Sequence, residues 1–199
     1  MKFITVLPGC VAAALTLVAC NDNSTPGGPD FGRDLAPGEY QVSVTGDVQR
    51  SFESTGATYQ EFATPPSDFD RAFLSIWDNT DALNGADFYL CVMAVEGASY
   101  RFDAATPFTA CPSDPGRAWG GFIVQLGAPQ ADELDCYPNS YGDKAFEGVL
   151  IIASVTASDV QGEANGTGTC SRHPHSEIEP MQSAAVSVRV RFRAVKESS

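Results

Sequence analysis

The sequence predicts an all-β fold, a mostly antiparallel β-sandwich, with a small β-barrel as the alternative. Three observations carry the prediction. Val186, Val188, Val190, Phe192 and Ala194 alternate with Ser187, Arg189, Arg191 and Arg193, the period of two that a half-buried strand requires. Apolar runs of strand length recur at Phe88 to Val95 and at Val149-Leu150-Ile151-Ile152. Gly and Pro punctuate the chain between such runs, and no amphipathic helical period interrupts them.

In order, Tyr40, Val42 and Val44 alternate with polar residues and form the first strand. Gly46-Asp47 marks a turn, after which Val48, Arg50 and Phe52 resume the alternation. Ala57 to Phe62 is a third strand, ended by Thr64-Pro65-Pro66-Ser67-Asp68. Ala72 to Trp77 is a fourth. Phe88 to Val95, continuously apolar, reads as a central strand covered on both faces. Tyr100 to Phe102 and Phe122 to Leu126 are short strands, while 106–121, 128–142 and 162–176 read as loops from their Pro, Gly and polar content. Phe146 to Val155 is a second buried strand, and Val160 starts its partner. Ser43 to Gln49 echoes Ser154 to Gln161, which shared hairpin chemistry explains more simply than a true repeat.

Ahead of these strands the chain is of another kind. Lys2 precedes an almost wholly apolar run from Phe3 to Val18, shorter than the roughly 20 residues that span a hydrocarbon core. That layout is a signal peptide's. Leu17-Val18-Ala19-Cys20 resembles the lipobox of bacterial lipoproteins. The resemblance implies cleavage before Cys20, a diacylglyceryl group on its thiol, and acylation of the new amine. More than one acyl chain gives stable anchoring. The organisation expected is therefore a signal peptide over 1–19, a flexible Pro/Gly/Asn/Asp-rich tether over 20–37, and one β-domain over 38–197. The late stretch from Gly148 to Ala194 also loosely resembles the closing hairpins of β-sandwich domains in bacterial lipoproteins, a likeness that brings no activity with it.

The formal net charge of −13 sets the chain against phosphate backbones, so no nucleic-acid partner is expected. Anionic lipid gives it no help either, and membrane attachment rests on the acyl chains. Export places the remaining cysteines, Cys91, Cys111, Cys136 and Cys170, in an oxidising compartment, and two disulfides are expected. Three pairings exist; Cys91–Cys111 with Cys136–Cys170 leaves moderate loops.

Candidate chemistry is sparse. His173 and His175 lie beside Cys170, but structural zinc sites need more ligands than this stretch provides. Asp78, Asp81, Asn84 and Asp87 are oxygen donors without EF-hand spacing, and Asp132, Glu133 and Asp135 form a second acidic loop. No cofactor is expected. No Gly-x-Ser-x-Gly or Ser-x-x-Lys stretch supplies a nucleophile. Trp77, Trp119, Tyr137 and Tyr141 are candidates for a carbohydrate surface. Arg189, Arg191 and Arg193 share one strand face; they either grip an anionic partner, protect an edge strand, or pair with acids on a neighbour. The function expected is a lipid-anchored module of the cell envelope, on the outer membrane, with a non-catalytic binding or structural β-domain and an unidentified protein or carbohydrate partner. The alternative is an exported hydrolase using a carboxylate pair.

Overall fold

In the computed structural model, residues 30–62, 72–77, 85–103, 116–125, 133–136, 146–173 and 182–197 are described. They hold eleven strands: β1 (Glu39–Gly46), β2 (Arg50–Thr55), β3 (Ala57–Glu61), β4 (Ala72–Trp77), β5 (Gly85–Leu90), β6 (Ser99–Phe102), β7 (Ala118–Gln125), β8 (Glu133–Cys136), β9 (Phe146–Val155), β10 (Asp159–His173) and β11 (Gln182–Glu197). One continuous sheet joins them in the order β2-β1-β11-β3-β4-β5-β7-β8-β10-β9-β6, with a further β11–β10 pairing. All pairings are antiparallel except β11–β3, where Val195 to Glu197 run parallel to Thr58 to Gln60.

The β10–β11 hairpin is the spine. Its register runs from Asp159↔Val195 to Arg172↔Gln182. Each of its strands is longer than any neighbour, so each takes two partners along its outer edge. β11 pairs with β1 and then, further on, with β3; β10 pairs with β9 and then with β8. The pairings β11-β3-β4-β5-β7-β8-β10 therefore return on themselves, while β1-β2 and β9-β6 extend outward. The outermost strands, β2 and β6, do not pair with each other among the described residues, so β2-β1 and β9-β6 stay outside that ring and the sheet as a whole is not the edgeless small barrel of the alternative. The sheet is all-β and largely antiparallel, as the alternation requires.

The core follows the pleat. Tyr40, Val42 and Val44 of β1 and Val186, Val188, Val190, Phe192 and Ala194 of β11 are buried on one face. Phe88, Phe102, Phe122 and Phe146, from β5, β6, β7 and β9, meet at centroid separations of 5.2 to 6.3 Å. Each fully buried ring contributes roughly 1.5–3 kcal/mol.

Four expectations are corrected. Residues 162–173, read as loop, are strand. Gly162, Ala164, Gly166 and Cys170 occupy alternate positions, and two of the glycines make room for rings: a Cβ on Gly166 would meet Phe146 and Phe122, and one on Gly162 would meet Phe192. The small residues that look like loop composition are the seats of large neighbours. The apolar run 88–95 is not one strand covered on both faces: β5 spans Gly85–Leu90, and Met93 and Val95 are exposed. Part of the stretch read as loop over 106–121 is strand as well, because β7 begins at Ala118 and takes in Trp119 to Gly121. β8 likewise lies in the segment read as irregular. The two echoing segments are both hairpin turns, β1–β2 and β9–β10.

Candidate functional site

The alternation of β11 puts its arginines on the face away from the core. Each finds a partner far off in sequence. Arg189 Nη2 donates to Glu163 Oε2 at 2.6 Å, and its guanidinium sits 5.1 Å from the Phe31 ring centroid. Arg191 Nη1 donates to the Phe31 carbonyl and, at 3.3 Å, to that of Arg33. Arg193 donates to the Leu35 carbonyl at 3.2 Å and to Asp159 Oδ2 at 3.1 Å. Pairing with acids on the adjacent strand is thus the arrangement for Arg189 and Arg193, since Glu163 and Asp159 both belong to β10. Edge protection is not, because β11 lies between β1 and β10.

The contacts define a strap. Residues 30–36, which composition places in the tether, lie across the outer face of β1 and β11. Gln41 of β1 donates from Nε2 to the Asp30 carbonyl at 2.9 Å. Arg33 bridges Glu39 at 2.7 Å and Glu53 of β2 at 3.0 Å, and Glu39 also accepts from the Ala36 amide at 2.8 Å. Leu35 is the strap's one buried side chain, 8% exposed. Electrostatics agree with the geometry. Arg33 and the Ala36 amide hold the Glu39 carboxyl below its ordinary pKa, and Arg193 does the same for Asp159 against the opposing effect of burial. Burial alone would raise Glu163, but Arg189, Asn165 and nearby Arg191 outweigh it and leave that carboxyl lowered. The sequence signal for the strap was present in Phe31, Arg33 and Leu35, two apolar side chains and a cation inside a polar segment. What they touch was not in the sequence.

A second cluster lies on the outward face of β4, β5 and β7. Phe73, Tyr89 and Trp119 stand in register across the three strands, with centroids 4.6 and 5.3 Å apart. Trp119, expected near loops, is a strand residue whose ring packs beside Tyr89. In the next row Asp87 lies opposite Ser75 and accepts from Trp77 Nε1 at 2.5 Å. Burial raises the Asp87 carboxyl above its ordinary pKa, and the bonds from Trp77 and Ser75 oppose the rise. Asp87 is therefore bonded to Trp77 and Ser75 on a strand face. Asp78, Asp81 and Asn84, its proposed fellow donors, lie outside the described residues, as do His175, Asp132, Tyr137 and Tyr141. His173 ends β10 opposite Glu133, and Asp135 of β8 pairs with Ile123 and Ser171. Among the described residues no group of three His, Cys, Asp or Glu is placed to hold a metal ion.

Cys136 and Cys170 form a disulfide, as expected, with Cα atoms 4.5 Å apart. It joins β8 to β10 beside their short run of pairing. Cys91 is disulfide-bonded too, and its expected partner Cys111 lies outside the described residues. No protein-family model, curated protein or solved structure matches this chain.

Proposed function

We propose that this chain is an acyl-anchored lipoprotein of the cell envelope, on the outer membrane, whose β-domain serves a non-catalytic binding or structural role. The observation that carries the reading is Leu17-Val18-Ala19-Cys20 at the end of an apolar run too short to span a bilayer. The described contacts support it in two ways. The chain running on from Cys20 is bound to the domain from Asp30 by side chains of β1 and β11. The charged side chains of that face are engaged with one another and with the strap, so they serve architecture. We read the sheet as folded into two layers, β2-β1-β11-β10-β9-β6 against β3-β4-β5-β7-β8. Support comes from Phe88 and Phe122 of one meeting Phe102 and Phe146 of the other. On that reading the aromatic row of Phe73, Tyr89 and Trp119 faces away from the strap and is the surface for an envelope carbohydrate or protein.

The test is metabolic labelling with a fatty-acid analogue in a bacterial host. The wild-type chain is expected to take up label and fractionate with membranes. Cys20→Ala should lose the label and leave the membrane fraction. Persistent labelling of that variant rules the anchor out.

A further inference from the structure

We propose that residues 30–36 are a releasable strap that sets how far the domain stands from its anchor, a proposal that rests on the lipid-anchor reading. With the strap docked, the contour from Cys20 to Asp30 is at most about 36 Å. With the strap released, the contour from Cys20 to Glu39, where β1 begins, is at most about 68 Å. Docking thus roughly halves the longest stand-off that the chain length permits.

Release is separable from unfolding because of what holds the strap. Its attachments are hydrogen bonds, ion pairs and one cation–π contact, most of them half-buried: Arg189 on the Phe31 ring, Arg191 on the Phe31 and Arg33 carbonyls, Arg193 on the Leu35 carbonyl, Gln41 on the Asp30 carbonyl, and Arg33 on Glu39 and Glu53. The exposed Arg33–Glu53 pair is individually weak. Asp30, Gly32, Asp34 and Ala36 are exposed, and Leu35 alone is buried. The strands beneath keep their ladder and their core whether the strap is on or off. Segments with few buried apolar contacts open first.

Two atoms beneath the strap favour opening. Gln41 Oε1 and Arg193 Nε are buried without a hydrogen-bond partner among the described residues. An unsatisfied buried polar atom carries a desolvation cost. Lifting the strap returns both to water, so the docked state holds a penalty that the released state lacks. Gln41 is fully buried and sits opposite Arg191 in the β1–β11 register, which places the penalty under the clamp itself.

The experiment compares the wild-type lipidated chain with Arg191→Gln, which loses the bonds to the Phe31 and Arg33 carbonyls and leaves the Arg193–Asp159 pair intact, and with Leu35→Ser, which leaves the sheet's own side chains untouched. Hydrogen exchange is followed over 30–38 and over β9 to β11. A dye on Glu147→Cys reports energy transfer to acceptor lipids in vesicles. Losing two arginine–carbonyl attachments should speed strap exchange about tenfold or more, with β9 to β11 unchanged. Transfer to the lipids should fall in both variants. Unchanged strap exchange in both variants overturns the clamp. Strap and sheet exchanging together in Leu35→Ser overturns separable release. Faster strap exchange with undiminished transfer overturns the stand-off role. Failure of every chain to join vesicles sinks the anchor and the stand-off together, while the exchange data still report on the clamp in the soluble protein.

Discussion

Arg193 and Asp159 show most clearly what a single pair does here. The Asp159 side chain is 3% exposed and that of Arg193 30%, so the pair is partly withdrawn from water. Removing one member leaves the other poorly solvated. Asp159→Ala is expected to destabilise the domain by about 1–3 kcal/mol in urea unfolding, below the range for fully buried pairs because Arg193 keeps some solvent. Glu163→Ala, at a more exposed bridge, should fall under about 1 kcal/mol. The same carboxylates set the acid response. Glu39, Asp159 and Glu163 are lowered in the folded state. Their contribution is complete above the unfolded carboxylate pKa of about 4 and is lost as pH falls through the folded values. Asp87 works the other way. Its folded pKa is raised, so it favours the folded state below the unfolded value and loses that contribution as pH rises through the folded one. Asp87→Asn keeps an acceptor for Trp77 and removes the buried charge. Unfolding midpoints should therefore rise at neutral pH and change little near pH 3, and a lower neutral midpoint would refute the assignment.

Among the elements, β10 and β11 are read with very different ease. β11 announced itself through strict alternation, because β-branched and aromatic side chains on one face and arginines on the other leave one register that buries the apolar set. β10 hid behind Gly162 and Gly166, since a residue chosen for the space above it carries no hydrophobic signal. Gly166→Ala tests this. Its Cβ would meet the Phe146 and Phe122 rings, and overpacking of that kind costs about 1–3 kcal/mol. A thermal midpoint equal to wild type would show that the rings move aside freely. Gly46 is demanding for a different reason: its φ of 114° lies where side chains strain, and a Cβ would meet the Ala185 carbonyl. β8 is a four-residue strand held by four paired positions on β7, three on β10 and the disulfide to β10. Reducing Cys136–Cys170, whose separation is 34 residues, should lower stability by about 2–4 kcal/mol. Hydrogen exchange should then show β8 opening before the β10–β11 hairpin; simultaneous opening would mean that the ladder alone holds β8.

The molecule as a whole carries a net charge of −13, yet gathers several cations on one face. Self-repulsion of the acidic chain and attraction at the strap respond oppositely to salt. Raising ionic strength from about 10 mM to 150 mM shortens the Debye length from about 30 to 8 Å. Global stability by urea unfolding should rise as long-range repulsion is screened. Exchange over residues 30–38 should quicken over the same range as exposed ion pairs weaken. Both changing in the same direction would show that the strap follows the global fold.

By itself the sequence determined the strand class and the shared face of Arg189, Arg191 and Arg193, and it narrowed the cysteines to three pairings, among which the structure shows Cys136–Cys170. The first two are local properties: a period of two and a pleat. The tertiary structure alone decided that β11 is interior, that β10 is a long strand, and that the end of the expected tether is laid on the arginines. Each of those depends on partners far along the chain, 26 residues from Glu163 to Arg189 and 160 from Phe31 to Arg191. Composition near a residue says which face it takes. It does not say which distant segment arrives there, because strand pairing is settled by the burial of the whole sheet at once.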